Sequence, residues 1–170
     1  MSHFPSRDTL VEVEEGTQLQ PKFDARGLIL CVTQDAATLE VLMIGCMNAE
    51  APALTIATCE AHYWSRSRRI LWRKGEQGGL VQRVVRLLID DDQNCVLLPV
   101  QIDSEASCHV GYRSYFFRAL TRCDSAPDFT LEFLEREKVF DPLTVYRTAQ
   151  DDSPLLSEIT PCNEFSEPDE

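Results

Sequence analysis

The stretch GLILCVTQDAATLEVLMI, residues 27–44, decides the fold of this 170-residue chain. Its first eight residues are rich in aliphatic side chains and predict a buried strand at 27–34. Residues 35–38 have the composition of a turn, and residues 40–44 predict a second strand. We therefore expect a β-hairpin near the start of the folded domain.

Strand signals continue along the chain, at residues 61–66, 80–89, 95–102 and 112–120. The 80–89 segment is expected to place four apolar side chains on one face: Val81, Val85, Leu87 and Ile89. Pro99 indicates an edge position or a bulge, since proline has no N–H to donate. The pattern predicts an α+β protein, mainly β, with a small mixed sheet and one or two short helices.

One helix is expected after the first hairpin, capped by Asn48 and running to about residue 59. Pro52 falls in its first turn, where a missing N–H costs little. Gly75, Gly78 and Gly79 mark a tightly turned or flexible loop in the middle of the chain. We treat residues 1–20 as a flexible N-terminal segment, 21–147 as the folded domain and 148–170 as an acidic, disordered tail.

Composition limits the class of protein. Hydrophobic residues make up 44% and charged residues 26%, as in ordinary soluble domains. No apolar run approaches the roughly 20 residues that a membrane span requires, and the N-terminus does not resemble a secretory signal. The seven cysteines are odd in number and contain no CxxC pair. These features predict a cytoplasmic protein with reduced thiols and no membrane association.

Charge is segregated along the chain, although its overall net value is −12. Residues 124–170 contain 13 acids and three bases, a net of −10, whereas residues 61–86 contain seven bases and one acid, a net of +6. An acidic protein repels nucleic-acid phosphates, so nucleic acid is not an expected partner. A local basic patch nevertheless suits a small phosphorylated ligand.

The basic patch is the stretch HYWSRSRRILWRKGE, residues 62–76, in which arginines alternate with aromatic residues. Guanidinium groups bind phosphate in a bidentate manner, and aromatic faces stack on bases. The candidate phosphate or substrate residues are Arg66, Arg68, Trp72, Arg73 and Lys74. The alternative is a strand face carrying ordinary surface arginines, and charge alone favours that alternative.

Two further groups carry candidate metal ligands. Asp90, Asp91 and Asp92 follow the 80–89 strand, and carboxylates at a strand end suit a hard cation such as Mg²⁺. An acidic turn without metal explains the same triplet. Cys108 and His109 are good zinc ligands, but one adjacent pair is also explained by a buried thiol beside a hydrogen-bonded imidazole.

The order and spacing of these groups resemble the phosphoribosyl-AMP cyclohydrolase family. That family shows an aromatic-Ser-Arg-Ser-Arg segment, Leu-Trp-x-Lys-Gly-Glu, Val-Gln, Asp-Cys-Asp-x-Asp and a final Cys-His-x-Gly-x-x-Ser-Cys-Phe. The corresponding segments here are residues 63–68, 71–76, 81–82, 90–94 and 108–116. The resemblance covers about residues 23–146 and implies a small folded sheet, or pseudo-barrel, in an intertwined homodimer.

The resemblance also implies a chemistry, the hydrolysis of the purine N1–C6 bond of phosphoribosyl-AMP in histidine biosynthesis. In the family three cysteines bind zinc across the dimer interface and three aspartates bind Mg²⁺. Here Asp90 and Asp92 match two of those aspartates, and Asn94 stands at the third position. Mg²⁺ binding at Asp90, Asp92 and Asn94 is therefore expected in weakened form.

The zinc positions change more. Cys108 matches one zinc cysteine, whereas Asp91 and Tyr115 stand at the other two, and Leu80 stands where the family has a histidine. Asp91 can ligate zinc through oxygen, but a phenol that titrates near pH 10 is a poor ligand. The residual zinc set is Cys108 and Asp91, and we do not expect a standard zinc site.

Three functions follow from these residues. The first is a cyclohydrolase-like homodimer that keeps a nucleotide pocket, with its zinc-dependent hydrolysis lost or altered. The alternative is an active cyclohydrolase or related hydrolase with a rebuilt metal site, in which His109 and Glu76 are the candidate catalytic residues. The third is a non-catalytic module whose acidic tail binds a basic partner.

Overall fold

The computed structural model describes residues 4–76, 78–122 and 129–146. Within these ranges three short helices accompany nine strands. The helices are α1 (Leu10–Glu14), α2 (Ala51–Thr58) and α3 (Pro142–Tyr146). The strands are β1 (Ile29–Asp35), β2 (Val41–Met47), β3 (His62–Ser65), β4 (Ile70–Arg73), β5 (Gln82–Val84), β6 (Leu88–Ile89), β7 (Cys95–Ile102), β8 (Arg118–Arg122) and β9 (Phe129–Phe133).

The main sheet has the order β2-β1-β7-β5, with β6 also paired to β7. β1 and β2 form the predicted antiparallel hairpin, whereas β1 and β7 run parallel. Two further two-stranded sheets, β3-β4 and β8-β9, complete a small mixed arrangement. The predicted class, α+β and mainly β, is confirmed, with one more short helix than expected.

The core lies on one face of the main sheet, where alternate residues of β1 are buried. Cys31, Leu42, Met47, Tyr63 and Leu98 are fully buried there. Gly45 lies directly beneath the Tyr63 ring, because a Cβ at this position would approach Tyr63 Cδ1 to 2.7 Å. The close approach of strand β2 to Tyr63 therefore requires glycine.

The opposite face of the main sheet is also apolar. Cross-strand partners share a face, and the register pairs Leu30 with Cys46 and Cys95, and Val32 with Ile44 and Leu97. Leu30 is 45% exposed and Ile44 50% exposed. The part of the chain that the structure describes thus leaves this face, called here the outer sheet face, largely uncovered.

Strand β7 lies in the middle of the sheet, so the edge alternative for Pro99 is wrong. Its partner strand is interrupted instead: β5 pairs with residues 100–102 of β7, and β6 with residues 96–97. The registers of β7 with β5 and with β6 differ by one residue, as the bulge alternative predicts. The Pro99 carbonyl accepts a hydrogen bond from Val85 N at 2.9 Å, so Pro99 faces the β5-β6 side of β7. On that side the proline nitrogen has no hydrogen to donate. This missing donor explains why the predicted strand at 80–89 divides into β5 and β6, with Val85 exposed.

The predicted strand at 112–120 is also wrong over most of its length, because only β8 is extended. Residues 107–117 form a series of turns, called here the site loop, with Gly111 at φ 97°. Backbone bonds from Cys108 N to Tyr112 O and from Gly111 N to Cys108 O close the first of these turns. The segment therefore follows its local turn chemistry rather than its apolar content.

The helices and N-terminal residues add contacts around the sheet. Asn48 Oδ1 accepts hydrogen bonds from Glu50 N and Ala51 N, so Asn48 caps α2 as predicted, although Glu50 is the last residue before the helix. Residues 4–20 include α1, and Gln93 Nε2 donates to Val13 O at 2.9 Å. None of the helices in the described ranges is long and apolar enough to cross a membrane. The acidic tail at 148–170 lies outside those ranges.

Candidate functional site

The β3-β4 hairpin carries most of the basic patch. Its register pairs His62 with Arg73 and Ser65 with Ile70, which leaves residues 66–69 as the connecting turn. Arg66 and Arg68 are exposed in that turn, where Arg68 N donates to Ser65 Oγ at 3.2 Å. Two of the predicted phosphate-binding arginines therefore lie at the hairpin tip.

The other end of the hairpin holds the remaining members of the predicted set. Arg73 Nη1 forms an ion pair with Glu60 Oε2 at 2.7 Å, so its charge is already compensated. Trp72 packs against Tyr63, with ring centroids 5.2 Å apart. The basic patch thus has an exposed tip at residues 66–69 and a base whose side chains contact the rest of the protein.

Lys74 is the most unusual residue of the patch, because its side chain is buried at 5% exposure. Its ammonium donates to Ser107 O at 2.7 Å and to the Tyr115 hydroxyl at 3.3 Å. Burial lowers the pKa of Lys74 to about 8, while the nearby Cys108 acts in the opposite direction. Among the described residues no carboxylate forms an ion pair with it.

The site loop brings the predicted Cys108 and His109 to this lysine. His109 Nδ1 lies 3.3 Å from the Tyr115 hydroxyl, so Tyr115 connects the imidazole with Lys74. Desolvation and the Lys74 charge lower the pKa of His109, which favours a neutral imidazole. Cys108 is 1% exposed, and burial raises the pKa of its thiol.

Arg113 and Ser114 hold the site loop against the first hairpin. Arg113 Nη2 pairs with Asp35 Oδ2 at 2.8 Å, and its Nε pairs with Glu40 Oε2 at 2.7 Å. Ser114 Oγ donates to Val41 O at 2.8 Å. Strong hairpin formation at 27–44 therefore also fixes the loop that carries the candidate chemistry.

The acidic residues form a compact turn between β6 and β7. Asp90 Oδ1 accepts hydrogen bonds from Asn94 N and Cys95 N, both at 2.8 Å. Asn94 Nδ2 donates to Asp92 Oδ2 at 3.0 Å. The structure thus brings together the three residues predicted for Mg²⁺, and each carboxylate keeps one oxygen outside these bonds. Oxygen donors of this kind suit Mg²⁺.

The predicted zinc residues are not brought together in one chain. Asp91 lies in the turn before β7, whereas Cys108 lies in the loop after it, and eight strand residues span roughly 23 Å at 3.3 Å per residue. Throughout the described ranges no three His, Cys, Asp or Glu side chains form a group that could hold a metal. Beside Cys108 stand an ammonium and a phenol, which do not fit a zinc ion.

Glu76 follows Lys74 in the turn after β4, with its N–H on Arg73 O at 3.3 Å. The structure records no contact between Glu76 and His109 within the residues it describes. A shallow cleft of about 450 Å³ lies elsewhere, against Tyr112, Glu132, Phe133 and Arg136. The predicted catalytic residues Glu76 and His109 are thus both exposed but do not contact each other.

Sequence reasoning missed the residues that support Lys74 from below. Tyr63, Gln82 and Ser107 are buried at 0–1% exposure and hydrogen-bonded to one another. The available signal was the Val81–Gln82 pair, which the resemblance included without a role. A buried polar side chain must be hydrogen-bonded, which gives this glutamine a structural role.

Comparison with known proteins bears on this arrangement. The model of the family described as phosphoribosyl-AMP cyclohydrolase matches residues 43–117, from within β2 to the end of the site loop. A protein of that name from Rhodopseudomonas palustris strain BisA53 is 49% identical over 143 residues, covering 84% of this chain and 97% of the relative. The chain belongs to the phosphoribosyl-AMP cyclohydrolase family.

Other members of the phosphoribosyl-AMP cyclohydrolase family give the same result. The protein of that name from Nitrobacter winogradskyi is 48% identical, covering 80% of this chain and 92% of the relative. The one from Bradyrhizobium sp. strain BTAi1 is 50% identical, covering 75% and 96%. The similarity thus extends over nearly the whole length of these family members.

Proposed function

We propose that this protein is a hydrolase that opens the purine ring of phosphoribosyl-AMP or a closely related purine ribonucleotide. The observation that carries the proposal is the 49% identity over 97% of a relative named phosphoribosyl-AMP cyclohydrolase. A place in histidine biosynthesis follows for this chain if the substrate is phosphoribosyl-AMP itself. A purine ribonucleotide carrying phosphate is also the kind of ligand that the basic patch suits.

The hairpin supports binding of the nucleotide. Arg66 and Arg68 are exposed at the tip and suit a phosphate, while Lys74 provides a buried positive charge at the base. Arg73 is paired with Glu60, so its predicted phosphate role requires exchange of one partner for another. Trp72, the neighbour of Arg73 in β4, supplies an aromatic surface.

His109 supports the hydrolytic step. In ring opening the oxygen of water bonds to C6 and the C6–N1 bond breaks. One proton of water goes to N1, and the other goes to the exocyclic nitrogen on C6, which becomes a carboxamide. A neutral imidazole can take a proton from water, and the lowered pKa of His109 favours that form near neutral pH. Glu76 is proposed as the second proton-transferring group.

The metal requirement is part of the proposal. Mg²⁺ is proposed at Asp90, Asp92 and Asn94, where it would neutralise phosphate charge on the ligand. For zinc, the donors of one chain do not fit, and a second copy would have to bring Asp91 to Cys108. We therefore assign no step of the reaction to zinc.

A homodimer is proposed because the outer sheet face is apolar and Asp91 and Cys108 lie at opposite ends of β7. Exposed apolar patches of this kind are common at protein interfaces. The face offers Leu30, Ile44 and Leu88, which are 45%, 50% and 38% exposed. A second copy of the chain would cover these side chains.

The experiment is incubation of the purified full chain with phosphoribosyl-AMP and detection of the ring-opened product by mass spectrometry. Aliquots receive chelator, Mg²⁺ or Zn²⁺, and the His109→Gln variant is compared with Arg26→Gln, a change in an exposed ion pair remote from the site loop. Turnover that depends on His109 supports the proposal. Absence of product under all metal conditions contradicts it.

A second function is favoured by one observation: at the position of a family zinc ligand, the Tyr115 hydroxyl accepts a hydrogen bond from Lys74 and is also hydrogen-bonded to His109. On this alternative the protein binds the nucleotide without opening its ring. Calorimetric binding of phosphoribosyl-AMP without product would support the alternative. Product formation would exclude it.

A further inference from the structure

A chain of hydrogen bonds runs through the core to the site. The Thr33 and Tyr63 hydroxyls lie 2.6 Å apart, and Tyr63 donates to Gln82 Oε1 at 2.7 Å. Thr33, Tyr63 and Gln82 have no exposed surface. A fully satisfied buried polar chain of this kind holds its members in one arrangement, because any unpaired member would pay the cost of desolvation.

Gln82 is the branch point of this chain. Its Oε1 accepts from Tyr63, and its Nε2 donates to Ser107 Oγ at 2.9 Å. Its own backbone is fixed by β5, where it pairs with Ile102, and by the bond from Ala61 N to Gln82 O. The amide therefore connects the rigid sheet to the first residue of the site loop.

Ser107 in turn fixes the position of Lys74, because the Ser107 carbonyl accepts the shortest hydrogen bond of the ammonium, at 2.7 Å. The other described polar partner, Tyr115, is at 3.3 Å. A buried ammonium without a carboxylate partner depends on such acceptors for its position. Movement of Ser107 would therefore move both Lys74 and the adjoining Cys108–His109 pair.

We propose that Gln82 is a positioning residue of the site, which fixes the Lys74 ammonium and the start of the site loop through Ser107. The inference deepens the proposed function, since it gives Val81–Gln82 a role in nucleotide binding. It does not depend on ring opening. Its test therefore measures Lys74 directly as well as the ligand.

The test uses the three lysines of the chain, Lys22, Lys74 and Lys138. The folded protein is labelled briefly with acetic anhydride at fixed pH, and mass spectrometry gives the labelling of Lys74 relative to the two exposed lysines. The Gln82→Leu variant keeps the size of the side chain but loses its hydrogen bonds to Tyr63 and Ser107. In this variant the ratio should rise by about fivefold, the population change expected from loss of the one hydrogen bond that holds Ser107. Affinity for phosphoribosyl-AMP should fall by a similar factor.

Two further variants separate positioning from general stability. Tyr63→Phe removes the hydroxyl that donates to Gln82 and bonds with Thr33, while the bond from Gln82 to Ser107 remains. It should raise the ratio in the same direction by a smaller factor. Val96→Ala opens a cavity at the other end of β7, where Val96 is 2% exposed, and should leave the ratio unchanged. An unchanged ratio in folded Gln82→Leu and Tyr63→Phe proteins would overturn the inference.

The inference also fails if Val96→Ala raises the ratio as much as Gln82→Leu at an equal loss of melting temperature. If labelling changes as expected while no variant and no wild-type sample forms ring-opened product, the positioning role stands and the proposed hydrolysis fails. If product forms and labelling does not respond to Gln82, the hydrolysis stands and the positioning role fails.

Discussion

The hydroxyl of Tyr115 lies 3.3 Å from Nζ of Lys74 and 3.3 Å from Nδ1 of His109. One phenol thus joins a buried ammonium to a surface imidazole, beside the buried thiol of Cys108. This group has one thiol and no carboxylate, which is unlike a structural or catalytic zinc site.

The purified protein should contain far less than one zinc per chain, because the residues beside Cys108 do not provide a zinc donor set. In the proposed dimer, where a second copy would bring position 91 to Cys108, the Asp91→Cys, Tyr115→Cys double variant should gain zinc, and adding Cys108→Ala should remove it again. Elemental analysis gives the content, and cobalt substitution reports thiolate ligation by its absorption. Near-stoichiometric zinc in the wild type that disappears in Cys108→Ala would contradict this expectation.

The contribution of Lys74 to the free energy of unfolding should rise with pH above about 8, because the native pKa of Lys74 is about 8 against 10.5 in the unfolded chain. In that window the unfolded state binds more protons, so the unfolding free energy increases with pH. Below pH 8 both states are charged, and the full cost of burying the ammonium remains. The raised thiol pKa of Cys108 acts in the opposite direction at high pH.

Comparison with Lys74→Met isolates this contribution. The difference in unfolding free energy between the two proteins should change by up to about 3 kcal/mol from pH 7.5 to 10.5, at about 1.4 kcal/mol per pKa unit. Urea denaturation at several pH values measures it. Parallel curves for the two proteins would show that Lys74 does not titrate in this range.

Ring opening should decline as the pH falls through a value below 6.5, since the pKa of His109 is lowered and only the neutral imidazole accepts a proton. The pH profile of kcat/KM measures this acid limb. In His109→Gln the limb should be absent and the remaining rate at least about 100-fold lower, as for loss of a general base. An identical limb in the variant would assign it to another group.

Arg113→Ala should lower the free energy of unfolding by about 1–2 kcal/mol after allowance for solvent screening, because it removes two ion pairs that join the site loop to the first hairpin. Arg26→Ala, which removes an exposed pair with Asp24, should cost less than about 0.5 kcal/mol. Chemical denaturation compares them. Equal losses would mean that the loop is held by other contacts.

Leu30→Glu should convert the proposed dimer to a monomer, because it places a charge in the centre of the outer sheet face. Leu39→Glu is the matched control, since Leu39 is 66% exposed in the turn between β1 and β2. Light scattering coupled to size-exclusion chromatography gives the mass. A dimer in both variants would place the interface elsewhere, and a monomeric wild type would end the dimer proposal.

Local sequence patterns predicted the elements that form from neighbouring residues. The first hairpin, the Asn48 cap and strand β3 each depend on contacts between residues close in the chain. Strand β4, the partner of β3, was not predicted. The break between β5 and β6 was not predictable in this way. It depends on which neighbouring strand the backbone of Pro99 faces, and the pairing of strands distant in the chain determines this.

The candidate site divides in the same manner. The basic patch, the acidic turn and the Cys108–His109 pair were visible as residue types, and the structure gives each a defined place. The hydrogen bond between Lys74 and Tyr115 joins residues 41 apart in the chain, and the one between Gln82 and Ser107 joins residues 25 apart. No periodicity within a strand or loop carries such information.

Pro99 also affects how this protein can change over evolutionary time. Because its missing amide separates β5 from β6, residues 86–87 link two separately paired segments. An insertion in this link would leave Gln82 beneath the site loop and would change only the connection to β6 and the acidic turn at 90–94. Ligand-holding and acidic parts of the molecule are therefore free to diverge at different rates.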